Sequence, residues 1–315
     1  SERRAALPPM LALTFLGTAA AMPTLDRNVS GLALVREGET MLFDCGEGTQ
    51  RQMMKYGVGF TFREIFFSHY HADHLLGVTG LLRTMGLQDR SVPVTLYGPK
   101  GAQRILGAAI SLGIERQKFP VEIVEVKPGD RLTRDGYAIE VFPTEHRADT
   151  VGYALVEAER LGRFHPDRAR EMGIPEGPLW GRLHKGERIE LPDGRSVTAA
   201  DLVGPSRPGR KVVYSGDTRP CEATIAAARD ADLLVHEATF GFDERERAVE
   251  TGHSTASEAA LVAREAGVRQ LYLTHISARY SREAPELLAE ARAVFPEAVI
   301  ARDGMTVEVR FRDAE

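Results

Sequence analysis

Residues 68–74 place three histidines and one aspartate within six positions, in the order His69-x-His71-x-Asp73-His74. They follow a short apolar run at 64–67 that reads as a buried strand. Three imidazoles and a carboxylate at the end of a core strand are costly unless a ligand compensates for their desolvation. Neutral imidazole and carboxylate are groups that bind Zn²⁺. The motif therefore predicts a metal site rather than a solvated histidine-rich loop or a set of core histidines.

The spacing also predicts the number of metal ions. His69 and His71 can reach one ion from an extended loop, whereas the adjacent Asp73 and His74 suit a second ion nearby. Further candidates follow predicted strands, and strand ends are where open α/β folds carry their sites. We expect one ion on His69, His71 and His146, the other on Asp73, His74 and His275, and Asp217 bridging both.

Each ion in this scheme keeps a coordination position open, which is typical of a catalytic site. Two metal ions roughly 3.5–4 Å apart can activate water and stabilise the attacking and leaving oxygens of a phosphoryl displacement. Mn²⁺ and Fe²⁺ fit histidine and aspartate as well as Zn²⁺ does. The sequence therefore predicts a catalytic centre of two metal ions but leaves the metal open.

Many short strands with helices between them surround these residues. Strands are predicted at 11–16, 31–35, 40–43, 65–67, 94–97, 121–126, 137–142, 211–215, 232–236, 271–274 and 307–311, and helices at 48–56, 75–85, 100–112, 221–229, 255–266 and 283–295. Strands in both halves of the chain predict an α/β (α+β) fold in which two mixed sheets pack face to face and helices cover their outer faces.

The bulk composition is that of a globular protein of 315 residues with a formal net charge of −5. That charge disfavours a generally basic nucleic-acid-binding protein but allows a local basic patch. Two cysteines, Cys45 and Cys221, form no disulfide framework, which favours a cytoplasmic protein. No apolar run reaches the length of a membrane span.

The beginning of the chain superficially resembles a secretory signal. Arg3 and Arg4 precede the apolar run at 11–16, and small residues follow at 18–21. Pro8 and Pro9 interrupt the apolar part, so we expect 11–16 to form a core strand instead.

Residues 158–210 differ in character, with many Gly and Pro and no strong period. From Arg160 to Lys211 the chain has eleven Lys or Arg against seven Asp or Glu, so this segment carries +4 and the remainder −9. An ordinary surface insertion would explain this composition. An extended arm that holds an acidic partner would also explain the charge.

The metal motif with its downstream His, Asp and His resembles the metallo-β-lactamase superfamily. Further motifs resemble its ribonuclease Z (tRNase Z) family, the endonucleases that trim the 3′ trailer of precursor tRNA. They are Phe15-Leu16-Gly17-Thr18, Arg27-Asn28-Val29-Ser30, Phe43-Asp44-Cys45-Gly46-Glu47-Gly48-Thr49-Gln50, Ser215-Gly216-Asp217-Thr218, His236-Glu237-Ala238-Thr239-Phe240, Gly252-His253-Ser254-Thr255 and Thr274-His275-Ile276-Ser277. The resemblance covers nearly the whole chain.

This resemblance implies a single αββα metallo-β-lactamase-fold domain over 1–315, with a flexible arm inserted at 158–210. The arm would bind tRNA and would carry the family's Gly-Pro element at Gly177 and Pro178. The implied activity is that of a cytoplasmic endoribonuclease with two Zn²⁺ per chain. A metal-activated hydroxide would cleave the phosphodiester and leave a 3′-OH on the tRNA. The implied assembly is a homodimer in which one subunit's arm presents tRNA to the other's site.

The resemblance also implies roles for single residues. Asp73 would both bind metal and accept the proton of the attacking water. His253, oriented by Glu237, would contact the scissile phosphate or protonate the leaving 3′ oxygen. Asp44 would brace the metal loops, unless it is only a turn residue, and His236 would be a structural neighbour. Substrate contacts are implied for Arg27, Asn28, Ser277 and Arg279.

Two departures from the family pattern leave the position of the cut open. Ala72 stands where the metal loop usually has Gly, and the basic loop has Leu25 at its first basic position with an added acid at Asp26. Two alternative functions also stand. One is a hydrolase of small phosphodiesters, sulfate esters or β-lactams, which would need neither the arm nor His253. The other is a non-enzymatic RNA-binding or scaffold protein, which the complete ligand set disfavours.

Overall fold

The computed structural model of the chain describes residues 10–312. Within that range the strands are β1 (Leu11–Gly17), β2 (Gly31–Arg36), β3 (Glu39–Cys45), β4 (Glu64–Phe66), β5 (Val94–Gly98), β6 (Val121–Glu125), β7 (Arg131–Arg134), β8 (Tyr137–Pro143), β9 (Val151–Glu157), β10 (Ile189–Glu190), β11 (Ser196–Val197), β12 (Lys211–Tyr214), β13 (Leu233–Glu237), β14 (Leu271–Thr274), β15 (Val299–Ile300) and β16 (Thr306–Glu308). The helices are α1 (Thr49–Lys55), α2 (Ala72–Leu75), α3 (Val78–Gly86), α4 (Ala102–Ile110), α5 (Pro166–Glu171), α6 (Pro178–His184), α7 (Ala199–Leu202), α8 (Glu222–Ala228), α9 (Arg245–Thr251), α10 (Ala256–Ala266) and α11 (Pro285–Val294).

The first of these strands is the segment that resembled a secretory signal. It pairs antiparallel with β2 and with β16, and its residues alternate between buried and half-buried before the fully buried end at Phe15. The prediction of a core strand here is confirmed. Arg3, Arg4, Pro8 and Pro9, which entered that comparison, lie outside the described residues.

Two seven-stranded sheets make up the described fold. The first has the order β16-β1-β2-β3-β4-β5-β6, antiparallel through β3 and parallel from β3 to β6. The second has the order β15-β14-β13-β12-β9-β8-β7, with β12 to β15 parallel. Both sheets are therefore mixed, as predicted.

Aromatic side chains pack the two sheets against each other. Phe43 of β3 contacts Tyr153 of β9 and Tyr214 of β12, with ring centroids 5.9 and 6.1 Å apart. The hydroxyl of Tyr153 donates to the carbonyl of Phe67 at 2.7 Å. Buried residues of α1, α3 and α4 cover the first sheet, and α10 lies on β13 and β14 of the second. The predicted pair of packed sheets flanked by helices is confirmed.

The predicted helix at 75–85 forms differently, as α2 and α3 separated at Gly77. A Cβ at Gly77 would lie 2.0 Å from the carbonyl oxygen of Gly46, so the backbones are in close contact there. Through this contact the segment after the metal loop packs against the end of β3. Strands β7, β9 and β15 and helix α9 were not predicted. Strand β9 is buried almost throughout, as is β13, which was predicted.

The chain divides into two compact units. The first contains residues 10–134, 138–155 and 210–312, and includes both large sheets apart from their strand ends. The second contains Asp135–Tyr137 and Val156–Gly209. No helix within residues 10–312 is long and apolar enough to cross a membrane.

The second unit has a small core of its own, with seven buried residues: Ala169, Ile174, Leu183, Ile189, Leu191, Val197 and Leu202. Phe164 and Trp180 pack at its edge, with ring centroids 5.3 Å apart. The segment at 158–210 therefore contains three helices and a two-stranded hairpin, more regular structure than its composition predicted.

Candidate metal centre

The residues of the histidine motif lie between β4 and α2 and are presented in two ways. His69 and His71 lie in the extended segment before the helix, and His71 is the residue that caps it. Asp73 and His74 lie in the first turn of α2. This difference gives the two halves of the motif the separate directions that their spacing predicted.

His69, His71, His146 and Asp217 form the first donor group, in which all ligand atoms lie within 4.8 Å of one another. His69 Nε2 is 3.0 Å from His71 Nδ1, and His146 Nε2 is 3.2 Å from the same Nδ1. The imidazoles thus come from β4's loop and from the end of β8, which belong to different sheets.

Asp73, His74, Asp217 and His275 form the second donor group, also within 4.8 Å. His275 Nε2 is 3.2 Å from Asp73 Oδ2 and 3.4 Å from His74 Nε2. His275 follows β14 and has a φ of 57°, an unusual conformation for a residue with a side chain. Such strain is characteristic of functional sites.

Asp217 belongs to both groups through one oxygen. Its Oδ2 lies 3.2 Å from His74 Nε2 and 3.3 Å from His275 Nε2. It also lies 3.6 Å from His69 Nε2 and 3.9 Å from His146 Nε2. All seven residues expected as ligands are therefore brought together, with Asp217 in the central position that a bridging ligand needs.

Hydrogen bonds at the far side of each ring orient these imidazoles. Ser68 Oγ donates its proton to Asp44 at 2.8 Å, so it accepts the Nδ1 proton of His69 at 3.0 Å. By the same reasoning Thr239 Oγ1, which donates to Glu237 at 2.7 Å, accepts from His275 Nδ1 at 2.8 Å. Both rings consequently direct an Nε2 lone pair at the donor groups. Partners of this kind fix ligand tautomers in metal sites.

Asp44 holds three parts of the site together. Its carboxylate accepts hydrogen bonds from Ser68 N at 2.7 Å, His74 Nδ1 at 2.7 Å and the Tyr214 hydroxyl at 2.6 Å. It is fully buried and has a φ of 58°. The geometry is that of a brace between the two sheets rather than of a simple turn residue.

Electrostatics favour metal cations here. Burial lowers the pKa of the His69 and His146 imidazoles, so both are neutral at neutral pH, the form that binds a metal ion. Burial also favours a neutral His74, but the carboxylates of Asp217 and Asp44 raise its pKa well above the usual range. Positive charge is therefore favoured at His74 Nε2, where a divalent cation would supply it. The donor set fits divalent metal ions.

His253 lies beside the two donor groups. Its Nδ1 is 2.8 Å from Glu237 Oε1, and the other Glu237 oxygen accepts from Ser254 N at 3.0 Å. Burial opposes the charge of the His253 imidazolium, but the Glu237 carboxylate overrides this effect and raises the pKa of His253 to about 9. Ligand atoms of Glu237, His253 and His275 also lie within 4.8 Å of one another, so a ligand role for His253 is the competing assignment.

Arg219 anchors the backbone at His253. Its guanidinium donates to the His253 carbonyl at 2.6 Å and to both carboxylate oxygens of Glu258 at 2.8 Å. Glu258 in turn accepts from Thr255 N at 3.0 Å in the capping box that begins α10. The loop that carries His253 is thus fastened to a helix.

A cleft of about 400 Å³ opens onto these residues, and Ala20, Ala21, His71, Asp73, Asp217, Thr239, Phe240, Thr251, His253, His275 and Ser277 line it. Ala21 contributes its backbone, because its N–H donates to Asp73 Oδ2 at 2.8 Å. Burial disfavours the Asp73 carboxylate, but the His275 hydrogen bond and neighbouring histidines hold its pKa well below its usual range. Asp73 is therefore ionised at neutral pH.

Of the expected substrate contacts, Ser277 lines the cleft, whereas Arg27, Asn28 and Arg279 do not. Arg27 is 4% exposed, and its guanidinium donates to Thr18 Oγ1 at 2.7 Å and to the Ala301 carbonyl at 2.6 Å. Asn28 donates its side-chain amide to the Glu47 carbonyl at 2.8 Å. Arg279 is exposed at the surface and forms an ion pair of 2.7 Å with Glu244. In this arrangement Arg27 and Asn28 brace the 18–28 loop.

Gly177 and Pro178 lie in the second unit, outside the cleft-lining set. Gly177 has a φ of 150°, which glycine adopts readily, and Pro178 begins α6. His236 is fully buried in β13, where its Nδ1 donates to the Glu237 carbonyl at 2.7 Å. Its placement agrees with the structural role expected for it. Leu25, at the departure from the family's basic loop, is fully exposed.

Sequence reasoning did not identify several contributors to the site. Ser68 and Thr239 carried a usable signal, because Ser68 is a hydroxyl residue next to the predicted ligand His69, and Thr239 is one two positions after Glu237, the residue predicted to orient His253. Arg219 carried a weaker one, two residues after Asp217. The N–H of Ala21 carried none, since a backbone donor leaves no mark on residue type.

Comparison with known proteins identifies the family. Residues 182–276 match the model of the beta-lactamase superfamily domain, and residues 11–163 match the model described as anti-Pycsar protein Apyc1. Ribonuclease Z of Gemmatimonas aurantiaca is 58% identical over 95% of this chain and 96% of that protein. Ribonuclease Z of Myxococcus xanthus is 56% identical over 96% of this chain and 99% of that protein. The chain belongs to the ribonuclease Z family.

Solved structures agree with this assignment. Human tRNase Z, short form, has a TM-score of 0.69 and 27% identity, and the match covers 95% of this chain and 100% of that one. The metallo-β-lactamase fold protein YhfI from Bacillus subtilis also has a TM-score of 0.69, at 21% identity over 96% of this chain and 100% of that one, which speaks for the fold alone. The chain is thus a metallo-β-lactamase-fold endoribonuclease, as predicted, and its histidine and aspartate groups provide a divalent-metal site. The relatives favour this function over the small-ester hydrolase alternative.

Proposed function

We propose that this enzyme removes the 3′ trailer of precursor tRNA by hydrolysing one phosphodiester and leaving a 3′-OH on the tRNA. The observation that carries the proposal is the pair of donor groups sharing Asp217, with His253 held beside them by Glu237 at the cleft. A nuclease needs a group for the attacking water and another for the leaving oxygen, and this arrangement offers both.

Two Zn²⁺ ions per chain are part of the proposal, one on each donor group. Metal ions in such a site lower the pKa of the attacking water and withdraw electron density from the phosphoryl group. The imidazoles and the carboxylates suit zinc, although Mn²⁺ and Fe²⁺ accept the same ligands. We place the enzyme in the cytoplasm because Cys45 and Cys221 are both free.

In this proposal two residues carry out the two proton transfers, one from the attacking water and one to the leaving oxygen. Asp73 is ionised and faces the cleft, so it can accept the proton of the attacking water. His253 stays protonated because Glu237 stabilises its imidazolium, so it can donate a proton to the leaving 3′ oxygen. The Ala21 N–H fixes Asp73 and the Arg219 guanidinium fixes the His253 backbone. The two groups are thereby oriented before substrate arrives.

For the body of the tRNA we propose the second unit as the binding surface. Its positive charge within an acidic chain is what phosphate contacts far from the scissile bond require. Several of its exposed arginines form ion pairs within the unit, among them Arg170 with Asp167 and Arg182 with Glu187. Exposed pairs of this kind are weak, so phosphates can displace the acidic partner.

Removing this unit should raise KM for precursor tRNA and flatten its salt dependence. Arg160 and Arg207 face each other in antiparallel backbone hydrogen bonds of 2.7 and 2.9 Å. Residues 161–206 can therefore be replaced by Asn-Gly, which favours a two-residue hairpin turn. Turnover of a small chromogenic phosphodiester should change little, because such a substrate needs only the metal centre.

A gentler variant controls for misfolding of the excised protein. Arg168→Ala with Lys185→Ala removes two positive charges from the second unit and leaves its apolar core intact. It should shift KM in the same direction by a smaller factor. Intact tRNA cleavage combined with lost diester turnover after excision would instead make the unit a lid over a small-molecule pocket, and the proposed function would fail.

A homodimer in which the arm of one subunit serves the site of the other completes the proposal, supported by the family resemblance. Mixing the excised variant with an Asp217→Ala variant should then restore tRNA cleavage, because each mixed dimer contains one intact site and one arm in trans. The control is each variant alone. Absence of restoration in a mixture that sedimentation shows to be dimeric would mean that the arm serves its own subunit.

A further inference from the structure

The cleft needs positive charge for the RNA phosphates on either side of the scissile bond, and three candidate arginines, Arg27, Arg219 and Arg279, are already engaged. Arg27 is buried with its guanidinium bound to a side-chain hydroxyl and a backbone carbonyl. Arg219 binds both oxygens of Glu258. Arg279 is paired with Glu244. None of these three guanidinium groups is free to bind a phosphate without giving up a partner.

Arg147 is differently placed. It directly follows His146, so its Cα lies about 3.8 Å from that of a residue in the first donor group. Its side chain is exposed, and in the described part of the chain its guanidinium forms no hydrogen bond or ion pair. The acidic residues Glu145 and Asp149 are close in sequence, yet neither forms an ion pair with it in residues 10–312.

The stem of Arg147 runs along the loop that carries His253. A Cβ at Gly252 would lie 3.2 Å from Arg147 N and 3.4 Å from Arg147 Cγ. The same Cβ would lie 3.1 Å from His146 Nδ1, which donates to the Gly252 carbonyl at 2.7 Å. Gly252 has a φ of 75°, so the tight contact uses a conformation suited to glycine. The start of the Arg147 side chain is therefore fixed between a metal-group histidine and the His253 loop.

We propose that Arg147 binds the RNA backbone phosphate next to the scissile one, a contact that rests on the proposed function. A guanidinium presents paired N–H donors that match two phosphate oxygens. Because Arg147 has no carboxylate partner among residues 10–312, it gains this contact without breaking an existing one there. Its place beside His253 puts the contact at the edge of the cleft and leaves the reacting atoms to the metal groups.

The test compares Arg147→Ala with Arg116→Ala in the full-length enzyme. Arg116 is also exposed, but it lies near Leu82 and is not among the residues that line the metal cleft. Each variant therefore loses one positive charge, and only Arg147→Ala loses it near the site. For precursor tRNA, Arg147→Ala should raise KM about tenfold with a smaller effect on kcat, as expected for loss of a charge-assisted contact. The slope of log(kcat/KM) against log[salt] should fall by about 1. Arg116→Ala should match the wild type in both.

Arg147→Lys separates charge from shape. It should restore the salt slope but only part of the KM, because an ammonium group is a point charge without the paired donors. Metal content should equal that of the wild type in both Arg147 variants. Loss of metal, or an equal loss of turnover on precursor tRNA and on the small diester, would overturn the proposal in favour of a structural role.

The outcome for Arg147 can be distinguished from the outcome for the function itself. If wild-type enzyme cleaves precursor tRNA and Arg147→Ala behaves like Arg116→Ala, this inference is wrong and the proposed function stands. If the wild type turns over the small diester but leaves precursor tRNA intact, the proposed function is wrong and this inference fails with it.

Discussion

Asp217→Ala should abolish hydrolysis and remove metal from both donor groups at once. Asp217 Oδ2 lies within 4 Å of imidazole nitrogens from each group, so its loss affects both positions. Residues that merely support a ligand typically change metal affinity or activity by roughly 10–100-fold. The loss of a shared ligand should exceed that range. Metal analysis of the purified wild type and variant measures the loss of metal, and the wild-type sample identifies the bound metal. Turnover of the diester and of precursor tRNA measures the loss of hydrolysis.

The matched control for Asp217→Ala is Glu265→Ala, which removes one carboxylate from an exposed position on α10. It should retain the metal content and turnover of the wild type. His71→Ala should lower metal content too, but chiefly through the first group, because only Asp217 belongs to both. About two ions per chain in the Asp217→Ala protein would exclude the bridging role.

His253→Ala should keep its metal and slow tRNA cleavage by roughly 10²–10⁴-fold, the usual contribution of a general acid. The leaving group separates the two roles expected for His253. A nitrophenolate leaves without protonation, so a chromogenic diester should lose much less rate than tRNA if His253 protonates the 3′ oxygen. Equal losses would assign His253 to the phosphate instead. Loss of metal would make it a ligand, as its distance to Glu237 and His275 also allows.

The pH profile follows from the same pair of residues. Burial disfavours the His253 imidazolium, while Glu237 raises its pKa to about 9. Because the folded-state pKa of His253 is above the ordinary value, the imidazole is protonated at neutral pH. It loses this proton, and with it the ability to act as a general acid, as the pH rises toward 9. Cleavage of tRNA should therefore decline on the alkaline side. Glu237→Gln removes the stabilising charge and should move that decline to lower pH.

Residue types and strand ends were enough to predict the donor set. The seven expected ligands follow β4, β8, β12 and β14, and the functional groups of α/β folds characteristically lie at strand ends. The two packed sheets could be predicted because most strands are short and bounded by turn residues. Strand β9 was missed although β13, which is just as continuously buried, was predicted, so burial on both faces does not account for the omission.

The remaining parts of the site depend on tertiary contacts. Arg27 has the same residue type whether it faces solvent or, as here, lies buried against the Ala301 carbonyl. The break at Gly77 depends on the approach of Gly46, 31 positions earlier in the chain. The contact of Ala21 with Asp73 involves only backbone at Ala21. Such features follow from the packed fold and not from local composition.

Because the candidate ligands come from two different sheets, bound divalent metal would cross-link the tertiary structure. The first sheet supplies His69, His71, Asp73 and His74, and the second supplies His146, Asp217 and His275. An unfolded chain has no such arrangement, so metal binding free energy adds to the free energy of unfolding. A ligand present at 100 times its Kd contributes about 2.7 kcal/mol in this way. Metal supply would thereby govern how long the folded enzyme survives as well as how fast it works.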